Sequence, residues 1–275
     1  MTVQTDPCGD KRFYVNSGTK ITVPGVTTIL DVLAKPGIKR WEARAAAELA
    51  VDSLDFIARM NETAGREATV KHLAAASKRR MTDAQNRGNE LHDIAERKFR
   101  GAAVRVPPNL RASAAHFDDF LRSVQPELVA AEEMVWSDTH AYAGSFDWAG
   151  RIKLDENGKL DVANGQPTLL LGDTKTGGKI WPSVAMQLAA YAHADRMVDA
   201  EGNSKPNLPF AGGAVLHVTD DGWTLYPVRI DREVLDMFLH LRAAFDWEKG
   251  LAKDVLGIPL ASSAELTTGT ERRSR

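Results

Sequence analysis

Across the first half of the chain apolar residues return every third or fourth position, and beyond Pro126 the interval shortens toward two, so helices are expected first and strands afterwards. Ahead of the helices, residues 12–15 and 20–23 flank Asn16-Ser17-Gly18-Thr19, which predicts a small hairpin. Thr27 or Thr28 can cap a short helix stopped by Lys35-Pro36-Gly37. Longer helices are expected over 40–60 and 66–80, then from a cap at Thr82 or Asp83 to residue 100, and again over 109–124. Strands are predicted over 128–137, 141–154 and 168–174. An amphipathic helix over 183–198 follows, then a hairpin of 211–219 and 223–230 about Asp220-Asp221-Gly222, and a last helix over 231–249.

With 275 residues, 43% hydrophobic and 26% charged, the chain suits one large domain with decorations. No run approaches the roughly eighteen apolar residues of a membrane span, and Met1-Thr2-Val3-Gln4-Thr5-Asp6 lacks the apolar stretch of a signal peptide. No membrane association and a cytoplasmic location are therefore expected. The one cysteine, Cys8, excludes an internal disulfide and any cluster held by four cysteines of this chain. A net charge of −2 argues against a protein that coats nucleic acid indiscriminately. That average conceals residues 71–122, where eleven Lys/Arg face six Asp/Glu. Such a basic helical region beside an acidic pocket would suit a phosphate-bearing substrate.

The candidate chemistry gathers at the end of the apolar run 168–172. Side chains two apart on a strand share a face, so Asp173 and Lys175 can converge on one ligand while Thr174 points away. Upstream, Gly144-Ser145-Phe146-Asp147 offers a second carboxylate. Asp147 and Asp173 are the candidate ligands for Mg²⁺ or Mn²⁺, which would neutralise a phosphate and activate water. Lys175 is expected to orient that water and offset transition-state charge. Gln187 and Tyr191 lie one helical turn apart on one face, as do His92 and Glu96. The basic loop Thr176-Gly177-Gly178-Lys179-Ile180-Trp181-Pro182 adds Lys179 as a phosphate contact, and Trp181 either stacks on a base or packs beneath the loop.

Taken in order, Gly88-Asn89-Glu90-Leu91-His92, Gly144 to Asp147, Asp173-Thr174-Lys175 and Gln187 to Tyr191 give Gly-x-x-x-His, Gly-x-x-Asp, Asp-x-Lys and Gln-x-x-x-Tyr. This set resembles the RecB-like branch of the PD-(D/E)xK nucleases over roughly residues 85 to 195. More loosely, residues 23–30 with Lys35-Pro36 resemble the opening of phage-encoded exonucleases of this type. The resemblance implies an α/β fold, a restriction-endonuclease-like mixed central sheet flanked by helices with a helical N-terminal roof. It divides the chain into an N-terminal hairpin (1–25), a helical region carrying the His motif (26–125), a nuclease core (126–255) and a disordered tail (256–275). It implies a metal held by Asp147, Asp173 and the backbone carbonyl of Thr174, with His92 as a ligand or phosphate contact. Gln187 and Tyr191 would position the lysine and bind DNA. Some relatives carry an iron-sulfur cluster, which this chain's single cysteine cannot build. The implied activity is a metal-dependent DNA exonuclease of recombination or repair, phage-encoded and working in the bacterial host cytoplasm. DNA is the implied partner, with a phage recombinase or single-strand annealing protein beside it. A structure-selective endonuclease, or a weakly active DNA-binding or assembly subunit, are the alternatives.

Overall fold

The computed structural model describes residues 2–5, 11–16, 18–34, 36–199 and 202–261. Cys8, Lys35 and the expected tail from residue 262 onward lie outside them, while 256–261 are irregular and exposed. The fold is mixed α/β. A five-stranded sheet at its centre comprises β4 (Glu127–Ala131), β7 (Trp148–Leu154), β8 (Gln166–Lys175), β11 (Gly212–Val218) and β12 (Trp223–Val228), in the order β12-β11-β8-β7-β4. Only β8 and β11 run parallel; the other neighbours are antiparallel. A four-stranded sheet contains β5 (Met134–Ser137), β6 (Tyr142–Ser145), β9 (Arg196–Val198) and β10 (Ser204–Pro206), and β1 (Thr2–Thr5), β2 (Arg12–Val15) and β3 (Thr22–Pro24) form a third. The expected N-terminal hairpin is thus β2–β3, extended by β1.

Strand β8 is the hub because it is covered on both faces, which explains its continuous apolar run. Leu171 packs with Leu188 and Phe238, from α6 (Ser183–Ala192) and α7 (Arg232–Lys249). On the opposite face Leu170 joins Trp148, Ile152, Phe117 and Phe120 under α5 (Arg111–Val124) and Ala95 of α4 (Ala76–Phe99). Trp148 stands opposite Gly172 in the β7–β8 register, and its indole occupies the space a side chain there would need. The acid Asp220, at the turn joining β11 to β12, accepts from Arg87 (2.7 Å) and Ser113 (2.6 Å), which clasps that hairpin to α4 and α5.

Several boundaries depart from the sequence expectations, each for a local reason. The short helix is α1 (Val26–Leu30), and neither threonine caps it. Thr28 Oγ1 instead accepts from Arg12 N (2.9 Å) and donates to Arg12 O (3.0 Å), tying the helix to β2. The expected helix over 40–60 is two, α2 (Pro36–Asp52) and α3 (Leu54–Ala74), separated at Ser53 so that α2 can pack on both α3 and α4. Gly65 breaks α3 with φ 84°, a value glycine tolerates at no steric cost. Thr82 does not begin a helix: it lies inside α4 and bonds back to Lys78 O (2.9 Å). Helix α6 stops at Ala192 rather than 198, where Asn207 Nδ2 binds the carbonyls of Tyr191, Ala192 and Ala194, freeing β9 to pair with β5.

The two long strands expected over 128–137 and 141–154 are each divided between sheets. The first leaves the central sheet at Glu132-Glu133 and the second enters it at Phe146-Asp147. Glu132 takes φ 55° there, and Glu132 N→Asp147 O (3.1 Å) with Phe146 N→Glu133 O (3.3 Å) holds the two crossings together. Asp147 therefore sits at a paired kink rather than within a strand.

Candidate metal and phosphate site

Antiparallel pairing of β7 with β8 matches Trp148 to Gly172, so one step further along the register sets Asp147 opposite Asp173. Residues directly opposite on antiparallel strands share a face at about 5 Å between Cβ atoms. The ladder ends at this step, and Asp147 Oδ2 replaces it by accepting from the backbone N–H of Thr174 at 2.7 Å. Helix α4 brings His92 to the same oxygen, with Nδ1 3.3 Å away. The two carboxylates and the imidazole are thus collected by one strand pair and one helix.

Asp173 is 2% exposed. Its Oδ1 accepts from Lys175 Nζ (2.8 Å) and from Gln187 Nε2 (3.1 Å), and the Gln187 amide lies 3.5 Å from the Tyr191 hydroxyl. Oδ2 lies 2.7 Å from the same ammonium, yet lacks a well-directed hydrogen bond. Burial, then the Asp147 carboxylate, pushes the Asp173 carboxyl up to about 6 against the opposing pull of Lys175. Burial likewise holds the Tyr191 phenol well above its ordinary range, so it stays protonated as a neutral hydrogen-bonding group. The Lys175 side chain remains 37% exposed, so its ammonium bridges the buried acid and solvent.

The glycines of the short motifs have steric reasons. A Cβ at Gly144 would come within 2.4 Å of Tyr191 Cε1, and one at Gly88 within 3.3 Å of Thr176 Oγ1. The first lets Tyr191 lie against β6, and the second lets α4 approach the end of β8.

A buried carboxylate with one oxygen lacking a directed hydrogen bond, facing a second carboxylate and an imidazole, is chemistry a hard divalent cation would satisfy. Asp147, Asp173, the Thr174 carbonyl and His92 are the groups that would hold Mg²⁺ or Mn²⁺ if such an ion binds here. Among the described residues no three His, Cys, Asp or Glu side chains are gathered closely enough to form a ready-made metal cage. The remaining positions would fall to the carbonyl and to water.

Glu132 escaped the sequence reading. It borders a cavity of about 10 Å³ with His92, Glu96, Asp147 and Trp148, room for roughly one water. Partial burial and the charges of Asp147 and Glu96 push its carboxyl up to about 7, although the residue stays exposed and solvent screens those repulsions. The available signal was the Glu132-Glu133 pair interrupting an apolar strand pattern. Glu96 is engaged by Arg100 at 3.0 Å. Lys179 and Trp181 lie on the loop beyond Lys175, where Trp181 is 47% exposed and so is not packed beneath the loop. A roomier cavity of about 760 Å³ lies at the other end of β8, beside Thr168 and Leu170. Its His193 is bonded to Ile230 O and its Arg229 to Asp231 and Glu233, so no free acid–base pair converges there.

Compared with protein-family models and with curated proteins, the chain matches none. Among the described residues no helix is long and apolar enough to cross a membrane.

Proposed function

We propose that this chain is a metal-dependent deoxyribonuclease of restriction-endonuclease-like fold that hydrolyses phosphodiester bonds at DNA ends. The observation that carries the reading is the meeting of Asp147, Asp173, Lys175 and His92 at one end of the central sheet, from three separate stretches of sequence. Bound by the two carboxylates, the Thr174 carbonyl and His92, Mg²⁺ or Mn²⁺ would neutralise phosphate charge and acidify a water. Lys175 offers a partly exposed ammonium beside the buried acid, positioned to hold the attacking water and to stabilise charge on the phosphate. Gln187 fixes Asp173 in place, and Tyr191 supports Gln187. The exposed Lys71, Lys78, Arg105 and Arg111 of the 71–122 segment would help draw in the DNA backbone.

Linear duplex DNA should be degraded with Mg²⁺ or Mn²⁺ and covalently closed circles spared, with Asp173→Ala and Lys175→Ala reduced to background. Cutting of the circles would identify an endonuclease. Identical rates in wild type and both variants would favour a DNA-binding or assembly subunit in recombination. Gln187→Ala should lower kcat by about 10- to 100-fold with little change in KM or melting temperature, as for a group that orients a metal ligand. A change confined to KM would instead make Gln187 a direct DNA contact.

A further inference from the structure

We infer that the loop following β8 and the first turns of α2 form a stacking platform for an unpaired DNA strand end, which specialises the site for substrates with single-stranded termini. The inference rests on the DNA-directed reading of the neighbouring centre.

Residues 176–182 leave β8 immediately after Lys175. The loop is held at its base, with Thr176 against Gly88 and Gly177 O bonded to His217 Nε2 at 2.5 Å, and further on Ile180 packs against the core. Trp181 instead stands out. Lys179 Nζ lies 4.5 Å from the centre of its ring, and its Cη2 edge rests on the first turn of α2, where a Cβ at Gly37 would be 3.2 Å away. An indole held by one edge and a cation, and 47% exposed, keeps aromatic surface turned to solvent.

Trp41 lies one turn beyond Gly37 on the same face of α2, and it too is 38% exposed. Lys39 and Arg40 between them are also exposed. Aromatic rings interleaved with cations are how proteins hold single strands without reading sequence, since every base has a face to stack and every linkage a charge to pair. Bases in a duplex already stack on each other. Only unpaired nucleotides can therefore use the two indoles, and the loop delivers them directly to Lys175.

Binding in EDTA, read by fluorescence anisotropy, separates stacking from hydrolysis. The probes are a labelled dT15 oligonucleotide, a 15-mer of abasic sites and a blunt DNA hairpin. Wild type should bind dT15 at least about 5-fold more tightly than the abasic strand, the low end of what one base stack contributes. Trp181→Ala should remove most of that difference and leave hairpin binding unchanged, and Trp181→Phe should keep it. Equal wild-type affinity for dT15 and the abasic strand would overturn the platform, whatever the folding of the variants. So would equal weakening of dT15 and hairpin binding in a folded Trp181→Ala protein. Metal-dependent cleavage without base-dependent binding would refute the platform alone, and base-dependent binding without cleavage would refute the nuclease reading alone.

Discussion

Replacing Asp173 with Asn is expected to abolish metal-dependent DNA hydrolysis, by at least about 10³-fold, while making the metal-free protein more stable at neutral pH. The two effects have one origin. Asp173 is buried, with one oxygen lacking a directed hydrogen bond and Asp147 set opposite, so its carboxyl titrates at about 6 in the fold against an ordinary value near 3.8. Because the folded value is raised, the unfolded chain gives up this proton first as pH rises. Stability is therefore lost from about pH 4 through pH 6, on the order of 3 kcal/mol from this group. Asparagine removes the titration, although it leaves Lys175 without its anionic partner. The melting temperature of the variant relative to wild type should rise between pH 4 and pH 7, and millimolar Mn²⁺ should stabilise wild type only. A pH-independent difference would mean that Asp173 carries no uncompensated charge in the free protein.

Gly172→Ala should be among the most damaging small substitutions in the chain. A Cβ at this position would stand 1.9 Å from Trp148 Cε2, where carbon atoms normally approach no closer than about 3.5 Å. The indole is fully buried against Phe99 and cannot swing aside without opening the core shared with α5. The expected cost is about 3 kcal/mol, at the upper end for overpacking, or roughly 6–12 °C in melting temperature. Trp148→Leu empties the same space at a cost of its own. Combined with Gly172→Ala, it should be no less stable than Trp148→Leu alone. Additive losses would show that the alanine is harmful for some reason other than the indole.

How the sequence relates to this site differs from element to element. Strand β8, helices α5 and α7 and the β11–β12 hairpin follow from runs and periodicities longer than the noise of single residues. Asp173 and Lys175 were legible because strand alternation alone puts them on one face. Asp147 was legible as a motif residue, but its position at a kink was not. The strands expected over 128–137 and 141–154 run on while the chain changes sheets, and only the pairing of one crossing with the other shows that the Glu132-Glu133 interruption is a crossing. Glu132 was missed for that reason. The three-residue strands β9 and β10 depend on distant partners, and Met197-Val198 continued the helical spacing of α6 closely enough to be absorbed into it. The break at Ser53 interrupts a composition that is helical on both sides, so tertiary packing decides it, whereas the kink at Gly65 falls in the gap expected between the helices over 40–60 and 66–80.

Everything proposed for catalysis depends on Asp147 and Asp173 serving a common cation. Crystals soaked in Mn²⁺ and measured at a wavelength where manganese scatters anomalously test that directly. One anomalous peak in contact with both carboxylates, beside the Thr174 carbonyl, is the predicted result. A peak bound elsewhere, or crystals saturated with Mn²⁺ that show none between these two side chains, would contradict it.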